Sequence, residues 1–159
     1  MCSLKVVKNP DLADYLEAMS FAGFQAGISW RVVDAKWPGI RAAFKDFDPA
    51  KVARFSGDDV DRLMADAKLI RNRRKLEGVV LNARRLLELD KEYGGFGKYL
   101  RSLGSYEEKV AALHKEFKFL GESGAYFFLW KVGETVSEYE SWLAEHDMKM
   151  PVGHHHSEK

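Results

Sequence analysis

The sequence predicts an all-α fold, and three observations carry that reading. Strand patterns, with polar and apolar residues alternating, are nearly absent. Apolar residues recur instead at helical spacing on either side of a short basic turn: Val60, Leu63, Met64 and Ala67 before it, and Leu76, Val79, Val80, Ala83 and Leu87 after it. The prolines fall where helices are expected to start or stop, not inside strongly periodic segments.

Taken in order, helices are expected over 11–20, 22–36, 39–46, 49–55, 58–67, 73–90, 96–102, 105–116, 123–133 and 137–145. The stretch Ala18 to Val33 is apolar almost all round and reads as a buried central helix. Within it Gly23 and Gly27 remove side chains from one face and let a neighbour approach the backbone. Gln25 and Ser29 would be polar groups inside that apolar helix, needing partners from nearby backbone or from a ligand. Gln25 offers an acceptor and a donor together, the pair that matches a nucleobase edge. Trp30 is large and flat enough to stack on a base, or simply to fill the core.

Further along, Asp48-Pro49 pairs an N-cap with proline at the first helical position. Ser56 with Asp59 makes a weakened capping box. Asn72 is the expected N-cap of the 73–90 helix. Gly94-Gly95-Phe96-Gly97 reads as a helix–helix connection, because it lacks the lysine of a phosphate loop.

Length and composition narrow the functional classes. The 159 residues suffice for one domain with a real core, expected over 1–147, followed by a disordered tail over 148–159. Lys and Arg number 25 against 24 acids, a net charge of +1, so any nucleic-acid role must come from a local patch. Arg71 to Lys75 is the densest one. The single cysteine, Cys2, excludes an internal disulfide and points to a reducing compartment. There is no apolar leader, and the longest apolar run, Ala125 to Trp130, is too short to span a bilayer, so a cytoplasmic chain is expected; it is taken to be a monomer. His154, His155 and His156 fall in the tail and are not read as a metal site.

The basic turn is oddly placed for a helix built only for stability. With Asn72 as cap, Arg73, Arg74 and Lys75 occupy the first turn, where the helix dipole favours anions. Unpaired backbone amides beside three cations make a seat for a phosphate, although a solvated basic surface would give the same pattern.

The runs FQAGISW (Phe24 to Trp30), FDPAKVA (Phe47 to Ala53), DVDRLMADA (Asp59 to Ala67), IRNRRKLEGVVLNA (Ile70 to Ala83) and FKFLG (Phe117 to Gly121) stand in a familiar order. In them the chain resembles bacterial 3-methyladenine DNA glycosylase I, over roughly residues 15 to 133. The resemblance implies a helix–hairpin–helix glycosylase fold; no cofactor is expected for this chain. It implies duplex DNA containing alkylated bases as partner, with the base flipped out for hydrolysis of its N-glycosidic bond. The implied base pocket is formed by Trp30, Gln25, Ala22 and Ser29. The implied grip on the DNA backbone comes from Ile70, Arg71, Asn72 and Arg73, supported by Arg74 and Lys75.

The departures from the family pattern are as specific. The family's base-contacting glutamate, three residues before the glutamine of QAGxSW, is Ala22 here. The chain begins after most of the family's N-terminal segment, and Cys2 does not align with its zinc-binding cysteine. The other two family zinc ligands fall on Glu138 and Trp142, so no structural zinc is expected. Lys68 replaces the usual hairpin glycine, which argues against a left-handed backbone there. These losses leave a second reading open, a degenerate relative that binds DNA through the hairpin without cleaving it, and a third, a fold retained for protein interaction.

Overall fold

The computed structural model describes residues 6–134 and 136. Among them the chain forms eight α-helices, one 3-10 turn and no strand. The helices are α1 (Leu12–Gln25), α2 (Trp30–Ala43), α3 (Pro49–Val52), α4 (Gly57–Ala65), α5 (Arg73–Tyr93), α6 (Phe96–Arg101), α7 (Tyr106–Glu116) and α8 (Glu122–Lys131), with the 3-10 turn at Lys45–Phe47. The all-α expectation holds, and no described helix is long and apolar enough to cross a membrane. The helix expected over 137–145 and the tail lie outside the described residues.

Side-chain caps set most helix starts. Asp11 with Asp14, Ser56 with Asp59, and Ser105 with Glu108 form reciprocal capping boxes. Asp48 accepts from the Ala50 amide at 3.0 Å with Pro49 behind it, and Asn72 accepts from the Lys75 amide at 3.2 Å. Gly94 ends α5 with φ 71°, a left-handed conformation that costs glycine nothing.

The central element is α1, buried from Tyr15 to Leu16 and from Ala18 to Phe24, and packed against α2, α3, α5 and α8. Its far side meets an aromatic cluster in which Trp37 stacks on Phe47 at 5.3 Å and takes Phe21 edge-on at 5.0 Å. The Trp37 indole N–H donates to Glu17 at 2.8 Å, satisfying its one polar atom.

Two expectations are corrected here. Ala18 to Val33 is not one central helix: α1 continues to Gln25, the chain turns at 26–29, and Ser29 caps a new helix. Gly27, at φ 81°, makes the turn, a conformation that penalises any side chain. Gly23 and Gly27 therefore do not share a face. Nor does a boundary fall before residue 39, because α2 runs through Pro38 to Ala43. The helix forfeits the bond a proline cannot donate, and burial of Trp37 and Ile40 on either side of Pro38 holds it together.

The segment between α7 and α8 is fixed from α5. Asn82, buried at 4% exposure, donates to the Lys118 carbonyl at 3.1 Å and accepts from the Lys118 amide at 2.7 Å. Phe119 follows in the left-handed region at φ 62°. Its Cβ lies 3.3 Å from where a side chain on Gly23 would begin, and its ring lies over Gly78. A methyl group on Gly78 would come within 2.9 Å of that ring. Gly78→Ala should therefore destabilise the fold by about 1–3 kcal/mol, read as a lowered chemical-denaturation midpoint with an unchanged slope.

Candidate functional site

The basic turn is the link of a helical hairpin, α4–turn–α5. Asp66 ends α4 and folds the chain back, its side chain accepting from the Lys68 amide at 2.9 Å and its carbonyl from the Leu69 amide at 3.1 Å. Lys68 is absent from the left-handed region, as its side chain requires. Leu69 is buried and anchors the link, while Ile70 is half-buried and Arg71 to Arg74 are exposed. The amides of Ile70 and Arg71 have no protein acceptor among the described residues. They stand beside the open first turn of α5, the arrangement that receives an anion.

The cations of the turn divide three ways. Arg71 makes no ion pair among the described residues. Arg73 is held by Asp61 of α4 and by Glu77 at 3.2 Å, and Arg74 lies over the Phe119 ring, 5.7 Å from its centroid. Lys75, expected beside them as a phosphate contact, instead turns inward. At 9% exposure its ammonium donates to the Phe24 carbonyl at 3.1 Å and to the Ala26 carbonyl. Burial pushes its pKa below the ordinary lysine value. The physical reason for the placement lies in α1, which has no basic residue in its own last turn. Lys75 supplies that cation from another helix and satisfies carbonyls the helix end leaves unpaired.

Ala26, whose carbonyl is one of these, lines a cavity of about 530 Å³ between the α1–α2 turn and the start of α8. Ala22, Gln25, Ala26, Gly27, Ile28 and Trp30 line one part of it. Phe119 and the run Gly121, Glu122, Ser123 and Gly124 line the rest. The volume is that of a small-ligand site and accommodates a purine. Ala22 contributes a buried methyl group, and Gln25 and Trp30 are half-buried. Ser29, expected in the pocket, is not in its wall. Its hydroxyl caps α2 by accepting from the Arg31 amide at 3.2 Å. The Arg31 guanidinium lies 5.6 Å from the Trp30 ring centroid, adding a cation beside the cavity.

The structure thus brings Ala22, Gln25 and Trp30 together in one cavity and places Ile70 to Arg74 on a separate hairpin surface, with Lys75 between the two. Sequence reasoning missed Phe119, Glu122 and the clamp from Asn82 to Lys118. The motif runs that contain Asn82 and Lys118 were both visible, but nothing in either showed that they bind each other. Cys2, Glu138 and Trp142 lie outside the described residues. Among the described residues no group of three His, Cys, Asp or Glu side chains is placed to hold a metal.

The sequence profile described as methyladenine glycosylase matches residues 6–123. The chain belongs to the methyladenine glycosylase family. It is 33% identical over 144 residues to DNA-3-methyladenine glycosylase of Haemophilus influenzae, covering 77% of this chain and 78% of that one. It is 32% identical over 148 residues to DNA-3-methyladenine glycosylase 1 of Escherichia coli K12, covering 80% and 79%. A crystal structure of 3-methyladenine DNA glycosylase I superposes with a TM-score of 0.70 at 29% identity, over 80% of this chain and 81% of that one. The Staphylococcus aureus enzyme, solved to explain 3-methyladenine recognition, gives 0.69 at 29% identity, over 77% of each chain.

In this methyladenine glycosylase, Lys75→Met should strand the Phe24 carbonyl in the interior and cost about 1–3 kcal/mol of stability, measured by thermal or chemical denaturation. An unchanged midpoint would mean that the ammonium does not cap α1.

Proposed function

We propose that this protein is a DNA glycosylase that hydrolyses the N-glycosidic bond of 3-methyladenine flipped out of duplex DNA, acting as a cytoplasmic monomer. The observation that carries the reading is the pairing of two features by one residue. A purine-sized cavity bearing Trp30 and Gln25 is tied through Lys75 to a hairpin with open amides at Ile70 and Arg71. Family membership supports the enzyme class and DNA as the partner.

The chemistry suits such a pocket. A methyl group on N3 makes the adenine cationic within the nucleotide, so it leaves as a neutral base once the bond electrons pass into the ring. Water then adds to the sugar carbon and gives up a proton, leaving an abasic site. A good leaving group lessens the demand for a general acid. The tasks left to the protein are gripping the backbone, accepting the unstacked base and aligning it with water. Trp30 offers the stacking surface, Gln25 a donor and acceptor for the base edge, and the hairpin amides with Arg71 a phosphate contact. Ala22 is the observation in favour of a non-cleaving DNA binder, because it leaves that part of the wall neutral.

The first experiment is release of free base from methylated duplex DNA. Wild type should release 3-methyladenine, and Trp30→Ala should lower the rate about tenfold to a hundredfold, the kinetic equivalent of losing one aromatic–base stack. No released base, with tight salt-dependent duplex binding, would select the non-cleaving reading.

A second measurement tests the hairpin. Arg71→Ala should reduce the slope of log affinity against log salt by about one. Arg73→Ala should reduce it less, because Asp61 and Glu77 already hold that guanidinium. Equal slopes for wild type and Arg71→Ala would remove the hairpin from the DNA contact.

A further inference from the structure

Glu122 is the single ionisable side chain among the residues lining the cavity. It is the first residue of α8, between Gly121 and Ser123, which line the cavity with it. The turn that carries it abuts the wall that Ala22 leaves neutral: a side chain on Gly124 would begin 3.6 Å from the Ala22 Cβ. Glu122 is solvent-exposed, and its charge also reaches the half-buried Tyr106. The Tyr106 hydroxyl is pushed up to about 12, by burial first and by the charge of Glu122 second.

We infer that Glu122 is a specificity-determining residue whose carboxylate makes the cavity prefer a positively charged base. The inference rests on the glycosylase reading above and goes beyond it in assigning the charge recognition to α8. A carboxylate at the rim of a partly desolvated cavity attracts a cationic purine more strongly than it would in water, and gives a neutral purine no comparable gain. Its place in the first turn of α8 is compatible with the helix dipole, so the charge does not oppose the fold. The other lining residues carry no charge and the Arg31 guanidinium beside the wall is a cation, so Glu122 is the lining carboxylate through which the cavity attracts a methylated base over its unmodified parent.

The test compares wild type with Glu122→Gln, which keeps the size and removes the charge. Two quantities are measured: kcat/KM for 3-methyladenine release from methylated duplex, and affinity for a duplex carrying a neutral tetrahydrofuran abasic analogue. The inference predicts that kcat/KM falls about tenfold or more, the loss of a charge-assisted contact, while affinity for the neutral analogue stays within about twofold. Unchanged kcat/KM would overturn it and leave the glycosylase reading standing. A parallel fall in both quantities would also overturn it, by showing that Glu122 supports the fold or the DNA grip. If wild type itself releases no base, the glycosylase reading fails and the inference falls with it.

Discussion

One face of α5 fixes the hairpin, the cavity and the segment before α8 relative to one another. Lys75, Gly78 and Asn82 follow helical spacing, and each meets a different element. Lys75 holds the carboxyl end of α1, Gly78 admits the Phe119 ring, and Asn82 binds the Lys118 backbone through both ends of its amide. The left-handed backbone of Phe119 costs about 1–2 kcal/mol for a residue with a side chain. Two hydrogen bonds one residue earlier and a ring packed on bare backbone offset that cost. The cavity wall at Phe119 is thus placed by α5, although no residue of α5 lines the cavity.

The same helix explains why cations crowd a terminus that disfavours them. Counted along the chain, Arg73, Arg74 and Lys75 look like one basic cluster. In three dimensions their charges face an acidic pair on the hairpin, an aromatic ring and the carbonyl end of α1. Arg71, just outside the helix, and Arg74, exposed and in no ion pair among the described residues, keep their charge for an outside partner. The turn is consequently less positive than its sequence suggests, and its capacity for a phosphate depends more on the amides of Ile70 and Arg71 than on the number of cations.

What the sequence revealed and what it hid divide along physical lines. The hairpin was legible because its two apolar faces follow a 3.6 period and Asn72 is a strong cap. Of the patterned residues Val60, Leu63, Leu76, Val79, Val80 and Ala83 are buried and Met64 and Leu87 half-buried, while Ala67 is exposed because α4 ends at Ala65. The break at 26–29 was hidden because the residues around it are apolar on every side, which erases the periodicity that marks a helix end. A single glycine and a serine cap then decided the geometry. Gln25 and Trp30 reached the cavity as the resemblance implied, whereas Ser29 was claimed by its own backbone. Glu122 was illegible for a different reason: it lies almost a hundred residues from Gln25, and only tertiary packing makes them neighbours.

The position of charge around the cavity bears on how a glycosylase of this shape divides its work between binding and chemistry. Positive charge starts on the methylated base and shifts toward the sugar as the bond breaks. A negative group nearest the base therefore stabilises the bound, flipped-out nucleotide more than the transition state, and favours capture over turnover. A negative group nearer the sugar does the opposite. A buried carboxylate at position 22 would stand deep in the wall, against the base. Glu122 stands at the exposed start of α8, beside Gly121, where the backbone faces open space. Moving the charge from a helix interior to a helix start moves it from the buried wall toward solvent. If Glu122 acts as proposed, the cationic base meets the charge on entry, and less of the attraction is surrendered when the base becomes neutral. Ala22 is in this view a permissive residue: its small neutral wall lets the purine seat without a charge partner that the reaction would strand.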